Sequence, residues 1–261
     1  MPETLVQAAR DGDCLVATLS RPDDGNAINL AMARELAALV DACGADRSLR
    51  SLVITGAGPR FFCTGGDVKA YAQVDNAAAL DAVFDLIRGL LDAIESLHCP
   101  VIAAINGYAI GGGAELALAC DLRVMEAGAQ IGFPQARLGI LPGWDGISRL
   151  LPLVGRGAAN RLLLSGKRIT AAEALAIGLI DEVAPAGTSL ARALALGREL
   201  AEAAPLSQAA IKAALRDAAG SDAAGARQRA REAMARLWFS ADHKEAERAF
   251  AEKRAPRFTG A

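Results

Sequence analysis

The segment Asn106-Gly107-Tyr108-Ala109-Ile110-Gly111-Gly112-Gly113-Ala114-Glu115-Leu116 sits between two apolar runs. Before it, Pro100-Val101-Ile102-Ala103-Ala104-Ile105 is uninterrupted and of strand length, which reads as a fully buried strand. Asn106-Gly107 breaks that strand, the three glycines lead into a short helix through Cys120, and Leu122-Arg123-Val124-Met125 reads as another strand. Strand, helix, strand in this order implies an α/β fold with parallel pairing and helices covering the sheet. The glycine junction exposes backbone N–H groups at a helix start, where they have no intrahelical partner and carry partial positive charge. Such groups suit an anion or a developing oxyanion. Glu115 falls in the first helical turn, where a carboxylate also complements the helix dipole.

Working outward, Leu49 to Gly56 reads as a strand stopped by glycine, followed by a glycine-dense loop, Thr55-Gly56-Ala57-Gly58-Pro59-Arg60-Phe61-Phe62-Cys63-Thr64-Gly65-Gly66-Asp67. Glycine permits close backbone approach there, and Asp67 can cap a following helix. Ala77 to Leu97 reads as an amphipathic helix, with Leu80, Phe84, Ile87, Leu91 and Ile94 at three- and four-residue spacing. After about Pro185 the sequence is almost wholly helix-forming, with a break at Ala204-Pro205. This suggests a core over 1–195 and a helical C-terminal region over 196–261. No internal repeat is visible.

The whole chain has 261 residues, just over half of them apolar, enough for one large domain. A net charge of −2 gives no nucleic-acid footprint. No apolar run is long enough to span a bilayer, and residues 1–10 lack the pattern of a signal or transit peptide, so a cytoplasmic protein is expected. The five cysteines, at 14, 43, 63, 99 and 120, form no CxxC pair and read as reduced, packed thiols. Neither of the two histidines, His98 and His243, lies near a nucleophile motif. The segment at Gly111 lacks the third glycine of GxGxxG, and Ser165-Gly166-Lys167-Arg168 lacks the elements of a P-loop.

Taken together, the two glycine loops resemble those of the enoyl-CoA hydratase/isomerase family, the crotonases, and the resemblance covers nearly the whole chain. Arg21-Pro22 followed by Asn26-Ala27-Ile28 looks like the family's first coenzyme A loop. Phe62 to Asp67 looks like its first oxyanion loop, and Asn106 to Glu115 like the second. Pro142-Gly143-Trp144-Asp145-Gly146 with Arg149-Leu150 resembles the glycine turn that follows. Thr170 to Ala174 with Gly178-Leu179-Ile180-Asp181, and Phe250 to Phe258, resemble the closing segments.

The resemblance implies a spiral of ββα units with a helical C-terminal region that supports a trimer or a dimer of trimers. It implies an acyl-CoA substrate, with no metal and no redox cofactor; neither nucleic acid nor membrane is expected as a partner, from the charge and hydropathy above. The thioester oxygen would lie between the N–H groups of Gly66 and Gly112, which stabilise an enolate. Of the two glutamates that hydratases of the family place around a water, the first falls on Glu115. The second falls on Gln135, an amide that holds water but carries no proton at neutral pH. Asp145 stands where the family usually has glycine. It is expected either to complete an acid–base pair with Glu115 or to cap the helix beginning near Gly146. Coenzyme A would be gripped around Ala27, Thr64, Gly66, Asp67 and Val68, with Lys253 and Phe250 reaching its phosphates or adenine. Trp144 would shape the acyl pocket or pack as core. Water addition or removal at an α,β double bond is the leading expectation. A single-glutamate isomerase, a thioester hydrolase or decarboxylase, and an inactive RNA-binding homologue are the alternatives.

Overall fold

The computed structural model describes residues 4–67, 71, 76–220 and 223–261. A hairpin of β1 (Val6–Asp11) and β2 (Cys14–Leu19) opens the chain and leads to α1 (Leu30–Ala45). Three ββα turns follow. They are β3 (Ser51–Gly56), β4 (Phe61–Cys63) and α2 (Ala77–Ser96); β5 (Val101–Ile105), β6 (Tyr108–Ile110) and α3 (Gly112–Ala119); and β7 (Leu122–Glu126), β8 (Gln130–Gly132) and α4 (Gly146–Ser165). Then come β9 (Arg168–Thr170), α5 (Ala171–Ala176), β10 (Glu182–Ala184), α6 (Ser189–Leu200) and α7 (Pro205–Ala219). The chain ends with α8 (Ala223–Trp238) and α9 (Ala241–Glu252).

Each turn gives its first strand to one sheet and its second to another. The six-stranded sheet runs β1-β2-β3-β5-β7-β10 and is parallel except for the hairpin. The four-stranded sheet runs β4-β6-β8-β9, parallel except for β8–β9. Strands β3 and β5 are buried at every position, as strands covered on both faces must be. Strands β4 and β6 were hidden from the sequence reading because each is only three residues long and lies within a glycine-rich stretch. The spiral of ββα units is therefore present, although no sequence repeat announces it.

Helix α2 begins at Asn76, whose side chain accepts from the Ala79 N–H, so this residue and not Asp67 is its cap. Ile87, Leu91 and Ile94 are fully buried, whereas Leu80 is exposed, because the first turn of α2 extends past the main core. The boundary expected at 195/196 falls inside α6. Ala193 is buried against the second face of the large sheet with Leu194, Leu196 and Leu200 beside it, and the chain breaks only before Pro205. Helix α7 is tied to the core by Lys212, whose Nζ donates to Asp121 Oδ2 at 2.5 Å and to the Cys99 carbonyl at 2.7 Å. All five cysteines are free and buried. Among the described residues, no helix is long and apolar enough to cross a membrane.

Candidate active site

The loops after β4 and β6 meet at one end of the small sheet. Gly111 has φ 58° and ψ −120°, a conformation open to glycine, and it turns the chain from β6 into α3. A Cβ on Gly65 would stand 2.8 Å from the Gly112 nitrogen, so the two loops touch. Gly112 is the first residue of α3, and Gly66 bridges to Ile28 through its neighbours: the Ile28 N–H donates to the Gly65 carbonyl and the Asp67 N–H to the Ile28 carbonyl. Among the described residues, neither the Gly66 nor the Gly112 N–H has a backbone acceptor.

Both glycines line a cavity of about 170 Å³ with Thr64, Tyr71, Phe84, Leu138, Ile140, Leu141 and Trp144. Trp144 is 3 % exposed. Its indole lies against both glycines: a Cβ on Gly66 would come within 3.3 Å of Cζ2, and one on Gly112 would overlap the ring. Trp144 thus belongs to the core and to the cavity wall at once. Tyr71 turns its hydroxyl away to donate to the Ile28 carbonyl at 2.7 Å, and its ring meets Phe84 edge-on at 6.5 Å.

Glu115 enters this cavity from the first turn of α3 and is 1 % exposed. Its Oε2 accepts from the N–H groups of Trp144 and Gly146, each at 2.9 Å, and its Oε1 accepts from Gln135 Nε2 at 2.9 Å. Burial pushes the carboxyl up to about 7, although these three donors and the charge of Arg149 favour the ionised form. A carboxyl held near neutrality can take and return a proton. Gln135, on a 3-10 turn from Pro134 to Leu138, is buried, and its Oε1 has no hydrogen-bond partner among the described residues. That leaves a buried acceptor with capacity for a further hydrogen bond.

The expected pairing of Glu115 with Asp145 is not formed. The Asp145 side chain is 54 % exposed, lies 4.0 Å from Arg88 Nε, and lines a different, charged cavity with Asp92, Glu95 and Arg149. It makes no side-chain capping bond either, although it occupies the N-cap position of α4 in a left-handed conformation, φ 62°. The carboxylate that receives the first N–H of α4 is Glu115 itself. This cap across the fold is invisible in the sequence, because donor and acceptor are on different elements.

The first loop is built as a support. Asn26 is fully buried at φ 53° and donates through Nδ2 to the carbonyls of Ala57 and Phe61. Ala27 is buried, and its carbonyl accepts from Arg21 Nη1 at 2.6 Å. Thr64 Oγ1 donates to the Gly25 carbonyl at 3.2 Å, and Asp67 pairs with Arg21 at 2.9 Å. Val68 lies outside the described residues. Lys253 is exposed just beyond α9 and does not line the cavity; Phe250 is on α9, and its side chain is outside the described part.

Two sheets wound in ββα turns, with adjacent glycine loops over a buried carboxyl, define the crotonase fold. Comparison with known proteins agrees. Residues 10–261 match the family model described as enoyl-CoA hydratase/isomerase. The chain is 38 % identical over 260 residues to 2,3-dehydroadipyl-CoA hydratase of Escherichia coli, covering 100 % of both chains. It is 36 % identical over 250 residues to the enoyl-CoA isomerase/hydratase fer4 of Mycosarcoma maydis, covering 93 % of this chain and 91 % of the other. The crystal structure of an enoyl-CoA hydratase from Bacillus anthracis superposes with a TM-score of 0.94 at 32 % identity, over 99 % of this chain and 100 % of that one. The chain belongs to the enoyl-CoA hydratase/isomerase family.

Proposed function

We propose that this protein adds water to, or removes it from, the α,β double bond of an acyl-CoA thioester, with Glu115 as its sole proton carrier. The observation that carries the reading is a buried carboxyl near neutral pKa beside two glycine N–H groups that have no backbone acceptor among the described residues. In hydration, ionised Glu115 takes a proton from water as the water oxygen bonds to Cβ. The double-bond electrons move onto the thioester oxygen, held by the Gly66 and Gly112 N–H groups. Re-formation of the carbonyl then draws the proton from Glu115 onto Cα. Each oxyanion donor contributes about 3–4 kcal/mol to such a transition state. Gln135 holds Glu115 through Nε2 and accepts from the attacking water through its free Oε1.

The remaining lining residues suit a hydrocarbon acyl group, since Tyr71, Phe84, Leu138, Ile140, Leu141 and Trp144 present apolar surface. No cation lines the cavity among the described residues, so a terminal carboxylate of the kind named for the Escherichia coli relative would be buried unpaired. Coenzyme A would lie along Ala27, Thr64, Gly66 and the Asp67–Val68 segment, with Lys253 and Phe250 available to it or to the ligand of a neighbouring copy. A trimer or dimer of trimers is supported by exposed Ile211, Leu215, Met234 and Trp238 on the C-terminal helices, with exposed Phe239 just after α8.

One observation favours a second reading. With Gln135 replacing a second carboxylate, the site has one group able to shuttle a proton between carbons, which is what a double-bond isomerase needs. Crotonyl-CoA separates the two. Loss of the conjugated-thioester absorbance, abolished by Glu115→Gln, is expected for hydration. Persistent absorbance together with deuterium exchange from solvent into the acyl chain would instead establish isomerase chemistry.

A further inference from the structure

The turn 143–146 presents both of its useful N–H groups to Glu115, and its three successive carbonyls are each taken by a side chain. Arg88 Nε, from α2, donates to the Gly143 carbonyl at 3.0 Å. Arg149 Nη1, from α4, donates to the Trp144 carbonyl at 2.7 Å. Ser148 Oγ donates to the Asp145 carbonyl at 2.7 Å. Gly143–Trp144 and Asp145–Gly146 are the peptide groups whose N–H ends bond Glu115 Oε2. A peptide whose carbonyl is drawn by a donor gives a stronger hydrogen bond at its N–H end. Here one of the two carbonyls is drawn by a guanidinium and the other by a hydroxyl, while Arg149 fixes the peptide between them.

Arg149 is itself fastened. Its side chain is 6 % exposed, and Nη2 donates to Asp92 Oδ1 at 2.7 Å and Glu95 Oε2 at 3.0 Å, both on α2. One edge of the guanidinium therefore holds the turn while the other is held by a neighbouring helix. An ammonium cannot reproduce that planar fork. Arg88 is bound to Asp85 at 3.0 Å and stacks over Phe84, a cavity wall residue, at 5.6 Å.

We propose that Arg149 and Arg88 are positioning residues that lock the turn 143–146 in the conformation that aims the Trp144 and Gly146 N–H groups at Glu115. This rests on the reading of Glu115 as proton carrier. Neither arginine lines the cavity, so neither is a catalytic residue. The ionisable groups on elements packed against α3 are Asp81, Asp85, Arg88, Asp92 and Glu95 on α2, Arg149, Arg156 and Arg161 on α4, Cys63 and Tyr108 on β4 and β6, and Asp145 and Tyr71 beside them. Removing Arg149 takes away a cation and the turn's anchor together. Both losses disfavour ionised Glu115.

The test compares Arg149→Gln, Arg149→Lys and Arg88→Gln in the full chain, reading kcat and KM separately across pH on crotonyl-CoA. It also follows the infrared band of the protonated carboxyl, assigned by its absence in Glu115→Gln. For Arg149→Gln, kcat is expected to fall by about 100-fold with KM little changed, because a misdirected carboxylate costs on that order. The limb that titrates Glu115, and the infrared titration with it, should move to higher pH. Arg149→Lys keeps the charge and loses the fork, so its kcat should fall while the limb moves less. Arg88→Gln should act in the same direction with a smaller loss, and it provides the reading if the Arg149 variants fail to fold. An unmoved infrared titration in folded Arg149 and Arg88 variants would overturn the proposal, as would a rise in KM at unchanged kcat. If the parent protein turns over no enoyl-CoA, the functional reading fails, and the infrared titration still decides whether the arginines hold Glu115.

Discussion

Replacing Glu115 by Gln removes the proposed proton carrier and leaves a neutral group of the same shape. The new amide oxygen can still accept from the Trp144 and Gly146 N–H groups, and its NH₂ faces Gln135, whose amide has a free acceptor oxygen to offer after a half-turn. Activity should vanish at every pH, but stability should not. The carboxyl has a pKa of about 7 in the folded chain against an ordinary 4.5. Between those values the unfolded chain has released this proton and the folded chain has kept it, so stability falls as pH rises through the window. The stabilising difference is fully present below about pH 4.5 and gone above about pH 7. The loss amounts to about 3 kcal/mol, from roughly 1.4 kcal/mol per unit. Glu115→Gln does not titrate and escapes it. The variant should therefore match the parent near pH 4.5 and exceed it by about 3 kcal/mol at pH 8. Urea unfolding of both proteins at fixed concentration, at pH 5, 6, 7 and 8, measures the difference directly. A difference that does not change with pH, or a parent that gains on the variant as pH rises, would refute the account of a buried carboxyl strained toward its neutral form.

Other substitutions test other parts of the site. Asp145→Asn should leave turnover on the true substrate within about twofold and stability within about 0.5 kcal/mol, since the side chain is exposed and asparagine tolerates its left-handed backbone. A loss beyond tenfold in steady-state assays would restore a catalytic role to it. Gly112→Ala would drive a methyl into the Trp144 ring. We expect activity to fall by on the order of 100-fold or more and unfolding to come about 1–3 kcal/mol sooner, in kinetics and urea melts respectively. Thr170→Ala removes one half of a capping box with Glu173 at the start of α5, and should cost about 1 kcal/mol while sparing activity.

The parts of the molecule that were legible in the sequence are those with a local physical signal. The run Val101–Ile105 is apolar throughout because both faces of the strand are covered, and the glycines at 111–113 mark a backbone that must turn and be approached closely. Glu115 and Gln135 were found by resemblance, and the structure brings them within one hydrogen bond of each other. Asp145 misled because its place in the chain, one residue from two N–H groups that bond Glu115, says nothing about where its side chain points; the left-handed backbone sends it outward. Arg88 and Arg149 escaped notice as part of the site because their role appears only when α2, α4 and the turn are packed together. Strands β4 and β6 were missed because three residues carry too little periodicity to register.

Those two short strands have a consequence for the glycine loops that grow from them. Gly66 and Gly112 lie just past the ends of β4 and β6, which are parallel, hydrogen-bonded neighbours. Adjacent strands stand roughly 4.8 Å apart wherever a sheet forms. The small sheet thus acts as a ruler, and the separation of the two N–H groups is inherited from the backbone ladder that every chain with this fold must make. Side chains around the loops can then differ, as Gln135 does where the resemblance expects a glutamate, and reshape what the cavity admits without resetting the gap between the two N–H groups.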